Sequence, residues 1–111
     1  MNIEDCQTQM KQSRLDAQTC LGSSCMDYAA YYTSLMSYVR TEAIKRKQLA
    51  YGNYVAEMAN GSTAAKSEAI MKSSDEYKEY LIYQGFADDL LEQVRTLRAK
   101  GKGDDSEKMV T

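Results

Sequence analysis

The sequence predicts an all-α protein: an elongated antiparallel helical hairpin with a short N-terminal helix in front of it. Three observations carry that reading. Proline is absent and glycine numbers only 6 among 111 residues, so little forces a break in a long helix. Apolar residues recur at intervals of three, four and seven over long stretches, the spacing of one helical face. Where the pattern does break, at Leu21-Gly22-Ser23-Ser24 and at Asn60-Gly61, the residues are ones that end or cap helices.

The elements follow in order. Residues 2–19 are mostly polar, with Ile3, Met10 and Leu15 as the large apolar exceptions; they read as a short, weakly amphipathic helix, marginal by itself. Ser24 opens an S-x-x-D pattern with Asp27, a candidate N-cap. Residues 25–60 then read as one long helix, its apolar face built from Tyr28, Tyr32, Leu35, Met36, Val39, Ala43, Ala50, Tyr54 and Met58. Residues 63–100 read as a second long helix, with Ser73 and Glu76 as a capping box that can interrupt it. Gly85 reads as a close-packing point or kink, Gly101 as a helix stop, and residues 101–111 as a flexible polar tail. The whole of 1–100 is expected to form a single helical domain. A small core of this shape usually needs partners, so a homo-oligomer is expected.

Composition closes many functional routes. Histidine is absent, which removes the usual general base and the usual zinc nitrogen. The acidic clusters Asp75-Glu76-Glu79 and Asp88-Asp89-Glu92 have the spacing of carboxylate metal sites but lack the Glu-x-x-His partner. No catalytic residue, cofactor or metal is expected, and the protein reads as a non-enzyme. Cys6, Cys20 and Cys25 form no recognisable framework and read as reduced thiols. The start MNIEDCQTQMKQ is polar and acidic, unlike a secretory leader. No apolar run approaches the roughly 20 residues of a membrane span. These features point to a soluble, cytoplasmic protein with no membrane partner.

Charge is unevenly spread. The formal net charge is −2, not a nucleic-acid binder's balance taken whole. Yet residues 31–66 carry five bases and two acids, between flanks that are both net acidic. Arg40, Lys45, Arg46 and Lys47 cluster there, with Tyr38, Tyr51 and Tyr54 beside them. Cations contact phosphates and aromatic faces stack on unpaired bases, the pairing a single-strand binder uses. Arg40, Lys45, Arg46, Lys47, Tyr51 and Tyr54 are therefore the candidate nucleic-acid-binding residues. The bland alternative is a solvated helix face, with Glu42 paired to Arg46 at i,i+4. Nine tyrosines against one phenylalanine suit half-buried seams and interfaces.

At this island the sequence resembles the small phage recombination mediators of the UvsY type. The likeness rests on a long helix carrying Thr41-Glu42-Ala43 and Lys45-Arg46-Lys47, and on Tyr51 and Tyr54 ahead of the turn at Gly61. It continues with a helix start at Ala64-Ala65-Lys66-Ser67-Glu68 and a closing helix through Leu90-Leu91-Glu92-Gln93-Val94-Arg95-Thr96-Leu97-Arg98. It covers roughly residues 26–100. The resemblance implies a ring-like helical oligomer that binds single-stranded DNA. It also implies a protein that helps a RecA-like recombinase replace the single-strand-binding protein. In that frame Arg40, Lys45, Arg46 and Lys47 lie on the DNA-contacting helix, and Leu81, Ile82, Phe86, Leu90, Leu91, Val94 and Leu97 form the oligomer interface. The competing expectation is a helical protein-binding module, such as a phage anti-defence inhibitor or an assembly factor.

Overall fold

The computed structural model describes the backbone of residues 1–110 and the side chains of residues 1–102. Among the described residues every regular element is a helix: α1 (Ile3–Thr19), α2 (Ser24–Ala59), α3 (Ala64–Ser73) and α4 (Asp75–Val110). None of them is long and apolar enough to cross a membrane.

Local chemistry sets the helix ends. Asn2 accepts from the Asp5 amide (2.8 Å) while Asp5 accepts from the Asn2 amide (3.0 Å), a reciprocal cap that satisfies two otherwise orphaned donors. Ser24 lies inside α2 and its hydroxyl donates to the Leu21 carbonyl (2.6 Å); the expected cap on Asp27 is not made. Gly22 and Gly61 take positive φ, +67° and +88°, which only glycine adopts cheaply, and these two turns separate α1 from α2 and α2 from α3. Thr63 caps α3 by accepting from the Lys66 amide (3.2 Å).

The expected second long helix, 63–100, is two helices divided by one extended residue, Ser74 (ψ 153°). The cap is Ser74 rather than Ser73: its hydroxyl accepts from the Tyr77 amide (3.2 Å). Ser73 instead donates back to the Ile70 carbonyl (2.9 Å), a bond that serines make inside helices. Gly101 does not stop α4, which continues to Val110. The expected flexible tail falls, from residue 103 onward, outside the described side chains.

The chain forms two compact units, one from Met1–Tyr38 with Phe86–Thr111 and one from Val39–Gly85. In the first unit Cys6, Met10 and Ala17 of α1, Ala29, Tyr32, Leu35 and Met36 of α2, and Ala87, Leu90, Val94 and Leu97 of α4 are buried together. Each large member contributes about 1.5–3 kcal/mol on burial. Polar contacts register the three segments. Arg14 pairs with Asp89 (2.7 Å). Lys100 Nζ donates to the carbonyls of Ala17 (2.5 Å) and Gln18 (3.1 Å). That ammonium caps the carboxyl end of α1, whose last turn has no base of its own.

Cys20 and Cys25 are joined by a disulfide across the α1–α2 turn, which corrects the expectation of three reduced thiols. Spacing alone could not show that the turn returns their Cα atoms to 5.6 Å. Cys6 is buried and takes no part in that bond.

The second unit has a thinner core. Val39, Ala43, Ala50, Ser67 and Tyr83 are buried, whereas Ile44, Leu49, Tyr51, Val55, Met58, Leu81 and Ile82 stay exposed. Within it Arg46 reaches Glu79 (3.1 Å) and Asn53 reaches Glu76 (3.3 Å). The partner number falls as the α2 number rises, so these stretches of α2 and α4 run in opposite directions.

Candidate nucleic-acid interface

The six candidate nucleic-acid-binding residues cluster along α2 in sequence, and the helix distributes them over several faces. Consecutive residues on an α-helix are about 100° apart, so Lys45, Arg46 and Lys47 point in three directions. Lys45 is exposed and pairs with Glu42 (3.4 Å). Arg46 turns inward. It pairs with Glu42 and, through Nε, with Glu79 (3.1 Å), and its guanidinium lies 4.4 Å from the centroid of the buried Tyr83 ring. The hydrogen bond from Arg46 holds the Glu42 carboxyl below its ordinary range, against the opposing effect of burial. Arg46 is thus engaged on three sides, and the pairing considered as the bland alternative is made. Lys47 lies 5.6 Å from the Tyr80 ring centroid. Arg40 and Lys47 form no ion pair with another described residue.

A groove opens beside Lys47. It has a volume of ≈ 440 Å³ and is lined by Lys47, Gln48, Tyr51, Met71 and Tyr77. Tyr51 stacks on Tyr54 with centroids 5.6 Å apart and planes 17° apart. Tyr77 and Tyr80 form a second, tilted pair at 5.6 Å and 54°. The groove surface is almost entirely apolar, made by the tyrosine faces, Met71 and the aliphatic stems of Lys47 and Gln48, and a flat apolar face fits such a lining.

Of the predicted nucleic-acid set, the structure places Lys47 and Tyr51 on this groove, with Tyr54 stacked behind Tyr51. Lys45 points elsewhere, and Arg46 is held within the unit. Sequence reasoning missed Gln48, Met71 and Tyr77 as groove residues. Gln48 and Tyr51 follow Ile44 at helical spacing and could have been found as one face. Met71 of α3 and Tyr77 of α4 flank the Ser74 break, and only the tertiary fold brings them beside α2.

The predicted interface residues divide as well. Leu90, Val94 and Leu97 are fully buried in the first unit's own core, so their apolar surface is spent within the chain and is not open to a partner. Phe86 and Leu91 are partly exposed. Leu81 and Ile82 are exposed at 52% and 40% and remain open to another surface. No protein-family model, curated protein or solved structure matches this chain.

Proposed function

We propose that this chain is a non-enzymatic single-stranded DNA-binding protein, acting as a recombination mediator that assists loading of a RecA-like recombinase in place of the single-strand-binding protein. The observation that carries the proposal is the groove beside Lys47, where stacked tyrosines adjoin a cation. Bases would lie against Tyr51 and Tyr77, and Lys47 and Arg40 would meet phosphate. Arg46 drops out of the DNA-contacting set as a structural residue, and Lys45 contributes at most a peripheral charge. The mediator role itself rests on the resemblance of the basic helix to the UvsY type.

Assembly belongs to the same proposal. An antiparallel hairpin of this size with a thin core gains from oligomerisation, and Leu81, Ile82, Phe86 and Leu91 are the members of the expected interface left to serve it. A cytoplasmic setting is likewise part of the reading. The Cys20–Cys25 bond weighs against it, because disulfides persist mainly in oxidising compartments.

The second reading is a protein-binding module. It is favoured by Ile44, Val55 and Met58 of the second unit, exposed apolar side chains that helical spacing places on one face of α2, since contiguous exposed apolar surface marks interaction sites. Salt separates the two readings. Fluorescence anisotropy on a labelled poly-dT of about 40 nucleotides, enough to span several aromatic–basic sites, is expected to show binding that falls steeply as salt rises. The double variant Lys47→Gln, Tyr51→Ala should weaken it at least tenfold, and Lys45→Gln should change it little. Absence of binding at low salt by folded protein would reject the DNA reading in favour of the protein-binding one.

A further inference from the structure

A second cleft lies in the other unit, between α1 and the start of α2. It has a volume of ≈ 530 Å³ and is lined by Gln9, Gln12, Asp16, Asp27, Tyr28, Tyr31 and Tyr32. Three of its features are chemically specific. Its rings form a corner: Tyr28 and Tyr32 are nearly parallel (22°, centroids 6.5 Å), and Tyr31 meets Tyr32 edge-on (78°, 4.9 Å). Its charged groups are both carboxylates, and no base lines it. Its buried carboxylate, Asp16, is held by neutral donors alone: Tyr32 Oη donates to one oxygen (2.5 Å) and Gln12 Nε2 to the other (2.9 Å).

These bonds give each Asp16 oxygen one neutral donor. Neither Asp16 nor Asp27 forms an ion pair with another described residue. A carboxylate without an ion-pair partner attracts a cation. Aromatic faces attract a weakly hydrated organic cation more than a small hydrated metal ion. The aromatic lining and the absence of any cluster of metal-ligating side chains among the described residues favour the same class. Tyr28 and Tyr31 keep 38% and 52% of their surface exposed, so ring surface is still available to a guest.

We propose that this cleft is a binding site for an organic cation, an ammonium or guanidinium group, which sits against the Tyr28 and Tyr31 rings with Asp27 and Asp16 supplying the counter-charge. The hydroxyl of Tyr31 is already committed to Gln9 (3.2 Å), so its ring rather than its polar tip is the recognition element. The site draws on none of the residues assigned to DNA and stands or falls independently of that reading.

The test uses the full chain with labelled tyrosine rings, titrated by NMR with tetramethylammonium chloride and with N-acetyl-arginine amide, against sodium chloride at matched ionic strength. Saturable shifts of the Tyr28 and Tyr31 rings by either organic cation, absent with sodium, are expected. Tighter binding of the arginine derivative would assign the natural source to a protein side chain, and tighter binding of tetramethylammonium to a free small cation; either supports the site. Asp27→Asn should weaken binding at least fivefold. Tyr31→Phe, which keeps the ring, should bind as the parent does, whereas Tyr31→Ala should not bind. Shifts no different from those in sodium chloride, or a Tyr31→Ala chain that is folded by circular dichroism and binds normally, would overturn the proposal.

Discussion

The Arg46 guanidinium lies over the Tyr83 ring at 4.4 Å from its centroid while pairing with Glu42 and Glu79. A cation in the middle of a basic run is thereby made a structural group. Its charge is compensated inside the unit, and its planar face is covered by a ring.

Arg46→Ala should therefore cost stability. About 1–2 kcal/mol is expected, reduced from the buried-pair range because the site is partly solvated. Lys45→Ala and Arg40→Ala, both exposed, should stay within about 0.5 kcal/mol of the parent. Urea denaturation of the three variants checks this, and an Arg46→Ala chain as stable as Lys45→Ala would refute the structural role.

Leu90 is wholly buried in the first unit. Leu90→Glu places a charge in that core and should unfold the chain, seen as loss of helical circular dichroism. A folded chain of lower mass would mean that Leu90 serves assembly after all. Leu81→Glu with Ile82→Glu changes exposed side chains and should keep the helix content. If these residues mediate oligomerisation, light scattering will record a smaller mass for that pair.

The close approach expected at Gly85 is found at Gly101 instead. A Cβ on Gly85 would meet nothing within 4 Å, whereas one on Gly101 would come within 2.6 Å of Met26 Sδ. Gly85→Ala should raise stability by up to about 1 kcal/mol through helix propensity. Gly101→Ala makes the exposed, flexible Met26 side chain swing aside and should gain less than Gly85→Ala does, by less than about 1 kcal/mol. Adding Met26→Ala should recover part of the difference, which a double-mutant cycle in denaturant measures.

Burial raises the Tyr32 phenol far above its ordinary value of about 10, and the hydrogen bond to Asp16 adds to the effect. The neutral phenol is therefore favoured in the folded state. Its contribution to stability is complete below pH ~10 and is lost as pH climbs above that toward the folded value. Ultraviolet titration of the folded chain should show a late-ionising phenol, and Tyr32→Phe should remove it. A Tyr32→Phe titration curve with the late phase undiminished would contradict this.

The disulfide closes a short loop, and its reduction should lower stability by about 2 kcal/mol on the loop-entropy estimate. Alkylation of the unfolded, unreduced chain should label one cysteine of the three, shown by mass. Labelling of all three would restore the reading of reduced thiols and remove the objection to a cytoplasmic setting.

By itself the sequence determined that the chain is helical and where its turns lie. Those are short-range matters: the missing proline, Gly22 and Gly61 in their positive-φ positions, and Thr63 with a hydroxyl in reach of its own helix end. Local patterning also located the basic, tyrosine-rich stretch of α2. Tertiary structure alone decided what each side chain there does. Residues 45–47 are identical in charge yet face three ways: Lys45 meets Glu42 of its own helix, whereas Glu79 and the rings that Arg46 and Lys47 meet lie on α4, more than thirty residues away in sequence. The same holds for Leu90 against Leu81, for Gly101 against Gly85, and for Asp16 beneath Tyr32. Helix periodicity states which residues share a face, but burial is set by the neighbour that face receives.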